Sequence, residues 1–236
     1  MSKLISVISQ KGGVGKSTTT ILLANIFFFV FKLKVAIIDA DYPQNSIAKK
    51  RKKELAITQG NPRLQSLYDQ LYQDRSPYPI IPTNLPSVTS MIERLDDDFD
   101  FIFLDVAGTI NQDGYKEVLL QINHFLIPSL EDEFSIWSAI ELYRAVETQI
   151  RPHSTAFEDC HLFFNKVPRM NIIPRLLKQL NPLFNFLPAS IYEYKSYERK
   201  YRSTLFPIPK AKKEGVRLLD FTHQFLQVIE PKAIAQ

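Results

Sequence analysis

Cysteine, glycine and long apolar runs are all scarce in this sequence of 236 residues. Its one cysteine, Cys160, excludes a disulfide within the chain and any metal site built from two thiolates of one chain. The longest apolar run, Ile21–Phe31, is interrupted by Asn25 and is shorter than the roughly 20 residues that span a bilayer. Because Met1–Lys16 passes from a short apolar stretch directly into glycines, no signal peptide is predicted. We therefore expect a cytoplasmic protein rather than a secreted or integral membrane protein.

The composition that remains is that of a folded protein, with 45% apolar and 23% charged residues. Continuous apolar segments alternate with helical patterns, which indicates a mainly parallel sheet covered by helices on both faces. We predict a doubly wound α/β fold in a single domain over residues 1–236. The predicted strands are Leu4–Ser9, Val35–Asp39, Tyr78–Ile81, Phe101–Asp105, His124–Pro128, Cys160–Asn165 and Phe184–Leu187. The predicted helices are Ser17–Lys32, Ser46–Leu55, Pro62–Asp74, Asn84–Leu95, Phe134–Ile150, Pro174–Leu180 and Lys212–Ile229.

Charge is distributed unevenly along the chain, although the formal total is only +4. The run Lys49–Lys53 (KKRKK) carries +5, and Lys195–Arg217 carries eight basic and two acidic residues, or +6. The rest of the chain therefore carries a formal net charge of −7. Each basic segment could bind nucleic acid phosphates or form an ordinary solvated surface, and the sequence leaves both readings open.

Three of the seven glycines fall together in KGGVGKST, residues Lys11–Thr18. This segment fits the phosphate-loop pattern G-x-x-x-x-G-K-[ST] if the first position is relaxed, and it lies between a predicted strand and a predicted helix. Lys16 would bridge the β- and γ-phosphates, and the Ser17 hydroxyl would bind Mg²⁺. The sequence therefore predicts a P-loop NTPase. The predicted nucleotide contacts come from Lys11, Gly12, Gly13, Val14, Gly15, Lys16, Ser17 and Thr18.

Acidic residues follow two predicted strands that should flank the loop strand. Asp39 and Asp41 come at the end of one of these strands, and Asp105 ends the other. Acids beside a triphosphate repel it unless a cation lies between them, and Mg²⁺ prefers such oxygen ligands. We predict that Ser17, Asp39 and Asp105 form the protein's part of a magnesium site.

Residue 11 is a lysine where the ordinary loop has glycine, so KGGVGKST resembles the deviant Walker A motif of the ParA/MinD family of ATPases. Asp39–Ser46 (DADYPQNS) resembles the family's first switch, D-x-D-P-Q, with Tyr42 inserted before Pro43. Asp105–Thr109 (DVAGT) resembles the second switch. With the basic helix that follows it, the DYPQ variant is most similar to ParA-like proteins of conjugative elements in Bacteroidetes.

The resemblance implies roles for individual residues. Lys11 would reach the phosphates of the nucleotide held by a partner subunit, which implies a homodimer formed on ATP binding. Asp41 would position the attacking water, with a loop cap as the alternative. Gly108 would bring a backbone N–H to the γ-phosphate, unless it is a simple turn glycine. Asn165 would read the adenine edge, since its amide offers a donor and an acceptor, unless it is only a polar strand end.

The resemblance also implies slow ATP hydrolysis, nonspecific DNA binding by the dimer, and a small DNA-binding partner that stimulates hydrolysis. The expected role is partition or positioning of a plasmid, chromosome or conjugative element at the nucleoid. A MinD-like membrane-positioning ATPase is one alternative, but the final residues QVIEPKAIAQ lack a basic amphipathic anchor. A tyrosine-kinase-like ATPase is another alternative, suggested by the cluster Tyr192, Tyr194, Tyr197 and Tyr201. Such kinases carry their tyrosines at the extreme C-terminus, whereas here a predicted helix follows the cluster. The sequence does not separate partition from conjugative transfer.

Overall fold

Six strands form one sheet in the computed structural model, which describes residues 1–95, 97–108, 114–168, 173–193, 202–209 and 213–230. The strand order is β3-β2-β4-β1-β5-β6, and every pairing between these strands is parallel. Every residue of β2, β4 and β5 is buried, as expected for strands covered on both faces. The predicted doubly wound α/β fold is therefore confirmed. The strands are β1 (Lys3–Val7), β2 (Val35–Ala40), β3 (Ile80–Pro82), β4 (Phe101–Val106), β5 (His124–Ser129) and β6 (Asp159–Phe164).

Helices bury apolar side chains against both faces of this sheet. The helices within the described residues are α1 (Lys16–Phe29), α2 (Ser46–Gln59), α3 (Pro62–Leu71), α4 (Val88–Leu95), α5 (Tyr115–Leu119), α6 (Glu133–Ala145), α7 (Ile173–Leu180) and α8 (Lys213–Ile229). Helices α1 and α8 pack on one face around Phe27, Phe221 and Phe225, while α4, α5 and α6 cover the other face. None of these helices is both long enough and apolar enough to cross a membrane.

Three parts of the secondary structure differ from what the sequence predicts. The segment Phe184–Leu187 is not a strand, because it pairs with β6 only through Leu162, whose N–H bonds the Asn185 carbonyl and whose carbonyl accepts the Leu187 N–H. The short helix α5 was not predicted, since five residues are too few to show a helical period. The helix expected over Phe134–Ile150 ends at Ala145 and continues as a π-helical turn.

The strand order places a crevice beside the carboxyl end of β1. This central strand lies between β4 and β5, and β2 lies beyond β4. The chain therefore runs to one side of the sheet after β1 and crosses to the other side after β4. Parallel sheets bind ligands at such a reversal, at the carboxyl ends of their strands.

Candidate functional site

The predicted phosphate loop lies in this crevice, between the end of β1 and the start of α1. Gly13 and Gly15 have φ angles of 76° and 97°, in the left-handed region that glycine adopts at little cost. The Gly15 carbonyl accepts the N–H of Thr19 at 2.9 Å, as the first bond of α1. The first turn of α1 contains no acidic residue. Its free N–H groups and the positive end of its dipole therefore suit a phosphate group.

A cavity of about 300 Å³ opens on the loop. It is lined by Gly13, Val14, Gly15, Lys16, Ser17, Thr18, Ser46, Lys166 and Arg202. Gly12, which the sequence also assigns to the loop, is exposed beside it. Sequence reasoning missed Ser46, Lys166 and Arg202, which belong to segments far from the loop in the chain. The sequence places Ser46 at the end of the segment that resembles the first switch, and Arg202 in a basic segment for which nucleic-acid binding and a solvated surface were both left open.

Asn165 follows β6, and its side chain is hydrogen-bonded to the phosphate loop. Its Nδ2 donates to the Val14 carbonyl at 2.7 Å, and its Oδ1 accepts the N–H of Lys166 at 2.9 Å. The side chain is only 4% exposed. A Cβ on Gly15 would lie 2.6 Å from the same Nδ2, so this position requires glycine. Nδ2 also lies 3.5 Å from Oγ1 of Thr19, so both of its N–H groups have a partner. Adenine recognition by Asn165 stays a prediction, and it would require the amide to exchange one of these partners.

Gly108 brings the end of β4 against the phosphate loop. A Cβ at this position would lie 2.9 Å from the Ser9 carbonyl oxygen and 3.2 Å from Nζ of Lys16. The absence of a side chain therefore lets the loop lysine extend past the chain that follows β4. This close approach gives a reason for glycine here that a simple turn does not. Its role toward a γ-phosphate stays a prediction.

Two buried carboxylates lie side by side at this edge of the sheet. Asp39 on β2 pairs in register with Asp105 on β4, and they are 0% and 1% exposed. The N–H of Ala48 donates to Oδ2 of Asp39 at 2.8 Å. The other Asp39 oxygen and both Asp105 oxygens have no hydrogen-bond partner among the described residues. Asp41, half-buried, follows Asp39 at the end of β2, and its carbonyl rather than its carboxylate accepts the N–H of Asn45.

Burial raises the pKa of the Asp105 carboxyl to about 7. The charges of Asp39 and Asp41 act in the same direction, whereas the nearby Ser17 hydroxyl and the charge of Lys16 act against it. Burial also raises the pKa of Asp39. Buried carboxylates without partners are costly unless a cation reaches them.

A Mg²⁺ ion fits this arrangement. The described residues contain no group of three or more His, Cys, Asp or Glu side chains that could hold a metal. An ion here would therefore take its remaining ligands from Ser17, phosphate oxygens and water, which is how Mg²⁺ usually binds beside a nucleotide.

Replacing Asp105 with asparagine is expected to stabilise the nucleotide-free protein at pH 8, by at most about 4 kcal/mol. Because the folded-state pKa is about 7 and the ordinary value is 3.8, protonated Asp105 favours folding below about pH 4, and this contribution is lost as the pH rises through 7. Urea unfolding in EDTA should show no difference between the two proteins at pH 4 and the full difference at pH 8. Exposed Asp69→Asn serves as the control. A difference independent of pH would contradict the raised pKa.

Lys11 points away from its own loop. Its Nζ lies 3.3 and 3.4 Å from the two carboxylate oxygens of Asp132. Asp132 also caps α6 by accepting the N–H of Ser135 at 2.9 Å. This hydrogen bond is the main cause of a lowered Asp132 pKa, to which Lys11 also contributes. The pair is about half exposed, so it is weak and leaves Lys11 free to exchange partners.

The basic run Lys49–Lys53 is only partly a solvated surface. Arg51 donates to Oγ1 and the carbonyl of Thr204, each at 2.8 Å, and to the Tyr78 carbonyl at 3.0 Å. Lys50 forms a 2.9 Å ion pair with Glu54. Lys49, Lys52 and Lys53 are exposed. The available positive charge on α2 is therefore smaller than +5.

The second basic segment is described only in part. Lys195, Lys212 and the tyrosines at 194, 197 and 201 lie outside the described residues, as does Thr109 of the second switch. Within the described part, the Arg217 guanidinium lies 4.0 Å above the ring of Tyr192, and Arg202 faces the phosphate loop.

Comparisons with known proteins agree with this geometry. The CobQ/CobB/MinD/ParA nucleotide binding domain matches residues 5–204. An uncharacterized ATP-binding protein of Methanocaldococcus jannaschii is 25% identical over an alignment of 157 residues that covers 61% of this chain. The chain spans only 59% of the length of that curated relative.

Two solved structures share the fold across nearly the whole chain. One is a protein assigned to plasmid partition from Borrelia burgdorferi B31, bound to AMPPNP, with TM-score 0.69, 20% identity, and coverage of 97% of this chain and 100% of that one. The other is the cell division ATPase MinD of Pyrococcus furiosus, with TM-score 0.66, 17% identity, and coverage of 97% and 100%. With the family match over residues 5–204, they confirm the relationship inferred from the three motifs: this chain belongs to the CobQ/CobB/MinD/ParA nucleotide-binding domain family.

Proposed function

We propose that the protein is an ATP-hydrolysing switch that dimerises on ATP binding and acts in the partition or positioning of DNA. The observation that carries this proposal is the buried pair Asp39 and Asp105, of whose four carboxylate oxygens three have no hydrogen-bond partner among the described residues. The pair lies beside a phosphate loop in which Gly13 and Gly15 adopt left-handed φ angles. Such a pair gains most when a cation and a polyphosphate bind together. A glycine turn that binds no ligand would not require a buried pair of carboxylates beside it.

Each residue of the site would contact a different part of the bound ATP and its Mg²⁺. Backbone N–H groups at the start of α1 would surround the β-phosphate, and Lys16 would bridge the β- and γ-phosphates. Ser17 and Asp105 would hold Mg²⁺, with Asp39 beside them, and the bound ion would neutralise phosphate charge. Asp41 would orient the attacking water, because phosphoryl transfer needs mainly alignment and charge stabilisation.

Dimerisation would use Lys11. In one protomer its ammonium is paired with Asp132 at 3.3 Å, on the β5 side of the sheet and not at the Lys16 side of the loop. A cation there is placed to meet a nucleotide that faces it from a second copy. The resemblance to the ParA/MinD family supports this role.

DNA is the cargo that we favour over a membrane. The exposed lysines of α2 and the second basic segment carry localised positive charge on an otherwise acidic chain, and backbone phosphates bind such charge without sequence preference. A small DNA-binding partner that stimulates hydrolysis would complete the system. The alternative is a MinD-like role at a membrane, which the fold equally allows.

The ATP-bound protein is expected to bind duplex DNA of unrelated sequences, and the nucleotide-free protein much less. Because a dimer doubles the phosphate contacts, affinity should rise steeply with ATP, and log K should fall by about 0.9 per contact with log[salt]. Filter binding over a salt series, with and without a non-hydrolysable analogue, measures both. Replacing Lys52 and Lys53, or Lys212 and Lys213, with glutamate should weaken binding to every sequence and leave basal hydrolysis unchanged.

Equal binding with and without ATP, or binding independent of salt, would contradict the DNA role. Anionic lipid vesicles provide the second arm of this experiment. ATP-dependent binding to vesicles without binding to DNA would favour the membrane-positioning alternative.

A further inference from the structure

Residues 202–209, called the strap below, are hydrogen-bonded to α1. Asn25 of α1, which is 1% exposed, donates through Nδ2 to the carbonyls of Ser203 and Phe206 at 3.0 and 2.9 Å. Its Oδ1 accepts the N–H of Ile208 at 3.2 Å. One buried amide therefore fixes the strap at three points, which is a specific and costly arrangement to break.

A second set of bonds ties the strap to α2. Thr204 is fully buried, and its N–H and hydroxyl donate to Oε2 of Glu54 at 2.8 and 2.6 Å. Its Oγ1 and carbonyl accept hydrogen bonds from Arg51. Bonds between charged and neutral groups in a buried setting are among the stronger ones. The first residue of the strap, Arg202, is thus held in place by its neighbour two positions on.

Arg202 directs its guanidinium at the phosphate loop. Nη1 lies 3.3 Å from Oγ1 of Thr18, and Nε is buried with no hydrogen-bond partner among the described residues. A guanidinium has five N–H donors in a planar fork that matches phosphate oxygens. The residues that line the cavity include three cationic side chains, those of Lys16, Lys166 and Arg202, and no acid.

The two sides of the cavity differ. Lys16 extends toward Gly108 and the end of β4, where the acidic pair lies. Lys166 follows Asn165 at the end of β6, whereas Arg202 contacts Thr18 in the first turn of α1; the acidic pair is not among the residues that line the cavity. If the γ-phosphate lies near Lys16 and Mg²⁺, the phosphate nearest the nucleoside lies near Thr18 and Arg202.

We propose that Arg202 is a nucleotide-binding residue that contacts the α-phosphate, so that the nucleotide is held between the phosphate loop and the strap. This assignment rests on the proposed function, and it gives one residue of the second basic segment a role in the nucleotide site instead of in DNA binding. Because ADP and ATP share the α-phosphate, Arg202 would contribute equally to both.

Calorimetric binding of ADP and ATP with Mg²⁺ tests this assignment. Arg202→Ala is expected to raise the dissociation constants of ADP and ATP by the same factor. This factor should be roughly tenfold or more, which corresponds to the loss of one charge-assisted hydrogen bond. Arg202→Lys should lose less affinity, since lysine keeps the positive charge but lacks the planar set of N–H donors of a guanidinium. Exposed Arg63→Ala is the matched control and should bind as the wild type does.

Dissociation constants for Arg202→Ala within twofold of wild type would overturn the proposal, and so would a loss confined to ATP. If the wild type binds neither nucleotide, the proposed function itself fails, which is a separate result. A second measurement uses the unaltered chain, so it does not depend on a variant that folds. ADP should protect Arg202, but not Arg63, from modification by phenylglyoxal; equal modification of Arg202 with and without ADP would also overturn the proposal.

Discussion

Replacing Asp41 with alanine is expected to slow ATP hydrolysis by roughly 100-fold or more and to leave ATP binding within about twofold of wild type. Asp41 follows β2, two residues after the buried Asp39, and is half-buried; in the proposed function it contacts the attacking water and not the cation. Orienting that water lowers the energy of the transition state and contributes little to ground-state binding. Phosphate release measured in a single turnover, with calorimetric binding alongside, separates the two effects.

The control for this experiment is Asp69→Ala, an exposed acid on α3, which should hydrolyse ATP at the wild-type rate. Asp41→Asn should be nearly as slow as Asp41→Ala, since it keeps the size of the side chain and loses the charge. Wild-type turnover in Asp41→Ala would move the water-positioning role to Asp39 or to a partner protein.

Alanine substitutions of the two loop lysines are expected to impair different properties of the protein. The affinity of Lys16→Ala for ATP should be lower than that of the wild type by about 100-fold or more, because Lys16 would contact two phosphates of the nucleotide bound to its own protomer. Lys11→Ala should bind ATP normally and remain a monomer, because its ammonium pairs with Asp132 and makes no contact with its own loop nucleotide in this account. Equilibrium titration with a fluorescent ATP analogue measures the first property, and sedimentation of the same samples measures the second.

Sequence reasoning was most successful where neighbours in the chain are also neighbours in the site. The loop Lys11–Thr18 and the acids that end β2 and β4 are encoded in short segments, and parallel strands bring their carboxyl ends to one edge. The predicted family followed from these segments and the predicted fold from the alternation of apolar runs with helical patterns, and both are confirmed. Their individual catalytic and ligand roles remain predictions.

Charge was interpreted less successfully, because a run of basic residues does not reveal which way each side chain points. Arg51 belongs to KKRKK, yet its guanidinium binds Thr204 and the Tyr78 carbonyl within the fold. Arg202 contacts Thr18 from 184 positions away in the chain, a separation at which spacing carries no signal. Both contacts depend on tertiary packing of the strap and could not be deduced from local pattern.

In the proposed function, ATP turns a monomer into a dimer through Lys11. Light scattering of the protein with Mg²⁺ and a non-hydrolysable ATP analogue tests it most directly. We predict the mass of the 27.3 kDa monomer without nucleotide and twice that mass with the analogue, while Lys11→Ala stays monomeric in both conditions. Equal dimer fractions for the wild type and Lys11→Ala, or a wild type that stays monomeric with the analogue bound, would contradict the account.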